Sequence, residues 1–163
     1  MNKWKQTVAR WVKRPFLQRL MIFMVHLIVP KQRIGVGLVV FNEDDQVLLL
    51  KHVYHPNAPW GLPGGWLARH ESPEQCALRE LREETGLTAV IGPPIQTSYE
   101  SNGPHHIGIS YLGWDNGGTL QLSHEILEAQ WVAMDTLPQM FPFTHHAIEK
   151  GYQLHQLLKH QNR

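Results

Sequence analysis

The sequence predicts an α/β (α+β) sandwich of one domain, entered through an N-terminal helical arm, and three observations carry that reading. Valine-rich apolar segments of strand length lie on both sides of a helix signalled at 73–85, and a second helical stretch closes the chain. The 163 residues, 42% of them hydrophobic, suffice for one core of ordinary size. The first thirty residues follow another pattern, with apolar side chains at helical spacing and basic residues between them. An arm at 1–31 and a folded body at 32–163 are therefore expected.

In the arm, Trp4, Val8, Trp11, Val12, Leu17, Leu20, Met21, Met24 and Leu27 recur roughly at helical spacing, and Pro15 should break or kink the helix where it falls. The apolar run Leu20–Val29 is ten residues long and includes His26, whereas a bilayer crossing needs ~20. A basic start before a short apolar stretch has the outline of a signal peptide. Val29, Pro30 and Lys31 offer no small-residue cleavage site, however. The arm is expected to pack on the body or on a second copy, the latter as a homodimer. Peripheral attachment to an anionic membrane surface is the second reading, and an uncleaved anchor the third.

Charge changes sign at the start of the body. Lys3, Lys5, Arg10, Lys13, Arg14, Arg19, Lys31 and Arg33 precede Glu43 with no acid among them. From Glu43 onward fourteen acids face seven bases, so that part carries −7. An acidic body suits a metal binder better than a binder of bare polyanions, and no specific nucleic-acid binding is expected. The single cysteine, Cys76, excludes an internal disulfide and fits a reducing compartment, so a cytoplasmic location is expected, peripheral to a membrane where the arm attaches to one. Eleven histidines make no spaced zinc motif.

The body opens with a hairpin: Ile34–Phe41, the turn cluster Asn42-Glu43-Asp44-Asp45, then Val47–Leu50. Proline and glycine crowd 56–65 and mark a shaped loop. After the helix at Pro73–Thr85, strand-like pieces occur near Thr88–Ile91, Ile95–Glu100, His106–Trp114 and Glu128–Met134. Asp115-Asn116-Gly117-Gly118 reads as a hairpin turn, and a final helix should run from Thr144 to about Lys159.

The helix at 73–85 carries the chemistry. Ser72 suits its N-cap, Pro73 its first turn, Gln75 completes a capping box, and Gly86 fits the left-handed position that ends it. Glu80, Glu83 and Glu84, three and four apart, share one helical side, and like charges at that spacing cost an isolated helix ~0.2–0.5 kcal/mol per pair. Arg79 can pair with Glu83 but leaves an excess of carboxylates, for which Mg²⁺ is a natural counter-charge. Ala77, Leu78 and Leu81 point the other way and suit burial on a sheet. Taken alone, Arg-Glu-Leu-Arg-Glu-Glu also reads as an ordinary solvated surface.

The whole span decides between these. Gly65, Glu71, Arg79, Glu80, Leu81, Glu83, Glu84, Gly86 and Leu87 fall at every fixed position of the Nudix box, so residues 65–87 resemble the Nudix hydrolase family. Trp60-Gly61-Leu62-Pro63-Gly64-Gly65 before it and Trp131-Val132 after it resemble that family too. The likeness runs from about Ile34 to the last helix and leaves the arm outside. It implies an α/β/α sandwich with a mixed central sheet, and Mg²⁺, for which Mn²⁺ substitutes. The ligands implied are Glu80, Glu83, Glu84, the Gly64 carbonyl and Glu125, which stands six residues before Trp131, with Glu128 as its competitor. Arg79 would orient the glutamates and Glu71 would support the loop or a metal site.

The reaction implied is hydrolysis of a diphosphate linkage, in a nucleoside diphosphate derivative or a related organic pyrophosphate. Glu80 or Glu125 would take the proton of the attacking water. Three other readings stand beside it: a nucleotide-sensing module without catalysis, a tethered protein in which the arm is the primary element, and hydrolysis at an RNA 5′ end, to which the basic arm would be drawn by charge alone. Trp60, Tyr54, Tyr99 and His105 are the candidates to bind the organic half, with His55, His106 and Tyr111 behind them.

Overall fold

Alternation along two successive strands sets the layering of the body. In β1 (Arg33–Phe41) and β2 (Val47–His52), Val36, Leu38, Val40, Leu48 and Leu50 join one buried cluster, while Val39, Phe41, Val47 and Leu49 join another. Successive side chains of a strand point to opposite faces, so a sheet apolar on both sides must be covered on both. One helix covers each face. From α2 (Pro73–Thr85), Cys76, Ala77 and Leu81 enter the first cluster; from α3 (Pro142–Gln161), Ala147 and Ile148 enter the second. Each fully buried leucine contributes ~1.5–3 kcal/mol by leaving water.

This computed structural model describes residues 15–29, 31–54, 59–101 and 105–161, with residue 26 described by its backbone. The chain divides into two compact units, Met1–Gln32 and Arg33–Arg163. In the first, α1 spans Pro15–Ile28. The proline stands at the head of that helix, where its missing N–H costs nothing. The helical expectation for Trp4, Val8, Trp11 and Val12 lies outside the described residues, as does His55.

The sheet of the second unit has seven strands. Its path is β3 (Trp60–Gly61), β2, β1, β6 (His106–Gly118) and β5 (Leu87–Glu100), with β4 (Gly64–Trp66) added to β1 and β7 (Ile126–Val132) added to β2. β1 and β6 run parallel, from Arg33 beside His106 to Phe41 beside Trp114, and the other pairings are antiparallel. That is the α/β/α sandwich with a mixed sheet that the resemblance implied. β1 and β2 part just beyond their turn, meeting in register at Phe41 and Val47, which leaves room for β4 and β3 on their inner edges, while β7 lines the far edge of β2.

Three expectations need correction. The pieces at 88–91 and 95–100 are one bulged strand, β5, whose pairing shifts at Leu87/Ala89, Ile91/Pro94 and Pro94/Gln96. Pro93 and Pro94 lack a ladder donor, so the register slips there and pairing resumes beyond. Asp115–Gly118 is the end of β6 and not a turn; Leu87 pairs with Gly118, and the Thr88 hydroxyl donates to the Asn116 and Gly117 carbonyls at 3.3 and 3.0 Å. The late strand begins at Ile126 and the last helix at Pro142, each two residues earlier than expected.

The hairpin turn is tied to α3 through Asp45, which sits at φ 60°. Its Oδ1 lies 2.7 Å from His155 Nε2 and accepts from Lys159 Nζ at 2.6 Å. Trp114 Nε1–H donates to His155 Nδ1 at 2.9 Å, which places the ring's remaining hydrogen on Nε2, facing Asp45. The Lys159 ammonium and then the His155 hydrogen bond hold the Asp45 carboxyl down at about 2. Asparagine tolerates the same left-handed turn, so Asp45→Asn isolates the charge. At neutral pH it should cost ~1.5–3 kcal/mol in urea melts. The sign follows from the depressed pKa: the difference is full above about 3.8 and disappears as pH falls through about 2.

Candidate functional site

The caps of α2 fix the rotational phase of its charges. Ser72 Oγ accepts the Gln75 N–H at 3.3 Å and Gln75 Oε1 accepts the Ser72 N–H at 2.9 Å, with Pro73 in the first turn. At the far end Gly86 adopts φ 72°, and its N–H donates to the Arg82 carbonyl at 2.8 Å. With Ala77 and Leu81 packed on the sheet, Glu80 is half-buried, Glu83 is exposed, and Glu84 lies at the buried flank with 7% of its surface accessible.

Arg79 is the hub of the acidic face. Its Nε and Nη2 donate to the two oxygens of Glu71 at 2.7 and 3.0 Å, a bidentate fork. Nη1 donates to Glu80 Oε1 at 2.7 Å and to Glu83 Oε2 at 3.1 Å, the expected pair four residues on. Nη2 also donates to the Trp66 carbonyl at 3.3 Å, which ties the helix to β4. The Arg79 fork, helped by the Ala68 N–H at 3.1 Å, holds the Glu71 carboxyl down at about 2, and the same contacts raise the pKa of Arg79.

Glu84 is different. Burial pushes its carboxyl up to about 8, against the pull of the Gly64 N–H, which donates to Oε2 at 3.0 Å. The Glu80, Glu125 and Glu83 carboxylates push in the same direction as burial. The loop after β6 brings Glu125 there: Ser123 N–H donates to the Glu84 carbonyl at 3.0 Å, and Val53 N–H to the Glu125 carbonyl at 3.0 Å. Glu128, its competitor in the sequence, is engaged elsewhere, 3.7 Å from Lys51 Nζ and hydrogen-bonded to Gln130.

One residue escaped sequence reasoning. His52 Nδ1 lies 4.0 Å from Glu84 Oε1, and its ring is what a Cβ on Gly61 would meet. The signal was present in the two-residue period of β2: His52 follows Leu48 and Leu50 on the face that α2 covers.

Whether these groups fit a divalent cation can be tested on the donor set. One guanidinium is shared by Glu71, Glu80 and Glu83, while Glu84 is buried beside further carboxylates. Such hard oxygens in negative excess suit Mg²⁺. A Cβ on Gly65 would run into the Glu80 carboxylate and one on Gly64 into the Val36 carbonyl, so β4 meets the acids as bare backbone. Among the described residues no three acidic, histidine or cysteine side chains are already drawn to metal-ligand spacing. The reason is visible in their partners: Glu80 and Glu83 turn to Arg79, and Glu84 to the Gly64 amide.

The candidates for the organic half are scattered. Trp60 is partly buried on the α3 side, with Lys51 Nζ 5.8 Å from its ring centroid. Tyr54 is exposed in the turn after β2. Tyr99 is exposed and engages His105, hydroxyl to Nδ1 at 2.9 Å. His106 meets Trp66 edge-on at 4.9 Å, and Tyr111 is buried with its hydroxyl donating to Glu74 Oε1 at 2.8 Å.

Known proteins bear on this arrangement. Residues 31–152 match the family model of the NUDIX domain. The chain is 30% identical over 118 residues to an ADP-ribose pyrophosphatase of Methanocaldococcus jannaschii, a match covering 69% of each chain. It is 31% identical over 106 residues to the NAD-capped RNA hydrolase NudC of Vibrio atlanticus, covering 64% of this chain and 39% of that one. A solved MutT NUDIX hydrolase from Burkholderia pseudomallei superposes with a TM-score of 0.66 at 29% identity, over 74% of this chain and 98% of the other. The helix that carries Glu84 and the Arg79 hub falls within the matched span together with the glycine backbone of β4, and the chain belongs to the NUDIX domain family as a NUDIX hydrolase.

Proposed function

We propose that the chain hydrolyses the diphosphate linkage of a nucleoside diphosphate derivative, with Mg²⁺, or Mn²⁺ in its place, held by Glu80, Glu83, Glu84, Glu125 and the Gly64 carbonyl. The observation that carries this is geometric: the buried Glu84 carboxyl, held by the Gly64 N–H at 3.0 Å, lies beside the Glu80 and Glu83 carboxylates that Arg79 gathers, all within the span that matches the NUDIX domain. A divalent ion bound there supplies charge neutralisation for the two phosphates and acidifies water. The rest falls to the chain's own residues. Arg79 holds Glu71, Glu80 and Glu83 on one guanidinium. Glu125, half exposed on its loop with His124 Nε2 3.7 Å from its Oε1, would take the proton of the attacking water on a carboxylate oxygen, whereas Glu80 Oε1 is occupied by Arg79 at 2.7 Å. Among Tyr54, Tyr99, His105 and Trp60, the candidates for the organic half, Tyr54 follows Val53, whose N–H meets the Glu125 carbonyl, and would stack on a base for ~1–3 kcal/mol, whereas Trp60 packs on the opposite, α3 side.

The two relatives named act on ADP-ribose and on NAD-capped RNA, and ADP-ribose and NAD each contain a diphosphate that joins adenosine to a second organic group. The substrate proposed is of that class. Incubation with ADP-ribose, NADH and 8-oxo-dGTP, read by release of nucleoside monophosphate, tests it. AMP release that stops with EDTA and returns with excess Mg²⁺ is the expected result. Release that persists in EDTA defeats the metal assignment.

A further inference from the structure

Along α1, Phe16, Leu20, Phe23, Met24, Leu27 and Ile28 are linked by spacings of three and four residues (16/20, 20/23, 20/24, 24/27, 24/28), so they form a continuous apolar face. That face is open to solvent: Phe16 is 75% exposed, Phe23 60% and Leu27 65%. Water is a poor neighbour for six large apolar side chains on one side of a helix, and such a face marks a docking surface. Gln18 and Arg19, both exposed, supply a narrow polar side.

Charge identifies what docks. The eight bases before Glu43 come with no acid, three of them (Arg19, Lys31, Arg33) within or just after α1. A second copy seated on this face would bring two such sets of positive charge together, whereas an anionic surface would be drawn to them. A bare polyanion such as RNA satisfies the charge but leaves the apolar face in water. A layer of acidic phospholipid headgroups over acyl chains satisfies both. The helix of 14 residues spans about 21 Å, short of a hydrocarbon core of ~30 Å, and no helix of the described residues is long and apolar enough to cross a membrane. We propose that α1 lies in the interface of an anionic membrane, its apolar side in the acyl region and the basic residues among the headgroups, and so tethers the hydrolase to that surface.

The test uses the full chain sedimented with phosphatidylcholine vesicles or with vesicles that also contain phosphatidylserine. Binding should require phosphatidylserine and weaken with salt. Leu20→Asp/Phe23→Asp/Leu27→Asp should lower partitioning at least ~100-fold. Each basic residue replaced in Lys3→Gln/Lys5→Gln/Lys13→Gln/Arg14→Gln should lower it by a factor of about 5. Both variants keep parental hydrolysis of a soluble diphosphate, which separates this proposal from the catalytic one and shows that the body is folded. The tether is overturned if the parent stays in the supernatant with anionic vesicles, if the aspartate variant sediments as well as the parent, or if the arm drives dimerisation or RNA binding in place of vesicle binding.

Discussion

Glu84→Gln is expected to lower kcat for diphosphate hydrolysis by ~10³-fold, equivalent to ~4 kcal/mol of lost transition-state stabilisation. Glutamine has nearly the same volume, and its amide oxygen still accepts the Gly64 N–H that Glu84 Oε2 accepts at 3.0 Å. What it cannot do is offer a negative charge. Stability should move the other way. The Glu84 carboxyl is raised from 4.5 to about 8, so in the absence of divalent ions its ionisation opposes folding increasingly between those values. A neutral glutamine removes that penalty, and without divalent ions Glu84→Gln should melt at or above the parent at pH 8. Protons and Mg²⁺ also compete for the same oxygens, so Mg²⁺ affinity of the parent should rise with pH up to about 8 and level off beyond. Calorimetric melts with and without Mg²⁺, beside steady-state rates, check all three. A variant that turns over substrate as fast as the parent would sink the assignment.

Arg79→Lys is the second large effect, with an expected fall of ~10–100-fold in kcat. Lysine keeps the charge and loses the fork. Arg79 donates at once to Glu71, Glu80, Glu83 and the Trp66 carbonyl at 2.7–3.3 Å, and a single ammonium cannot span those directions. Glu71 is then released from the contact that holds it near 2, and Glu80 and Glu83 lose their common orientation. Because Arg79 acts through the glutamates, the variant should also need more Mg²⁺ for half-maximal rate while KM for the organic substrate changes little. An unchanged Mg²⁺ requirement would show that Arg79 serves folding alone.

How much of this was legible beforehand differs from element to element. Local chemistry announces itself: Ser72, Pro73, Gln75 and Gly86 bracket α2 to the residue, because caps are satisfied by neighbours three or four positions away. The extent of β5 was hidden, because a strand that slips past Pro93 and Pro94 is held on the far side by β6 and not by its own propensity. The Asp115–Gly118 run was misread for the same reason: its composition is that of a turn, and Leu87 and Thr88 recruit it into a ladder.

The candidate site divides along the same line. Sequence by itself determined that three glutamates and an arginine share one helix, since their spacing is a property of 3.6 residues per turn. Tertiary structure decided which of those acids is buried, that Glu125 and not Glu128 is the loop acid beside Glu84, and that His52 joins them. Burial and long-range proximity arise when α2, β2, β4 and the loop before β7 meet on one sheet face, and no window of residues along the chain contains that meeting.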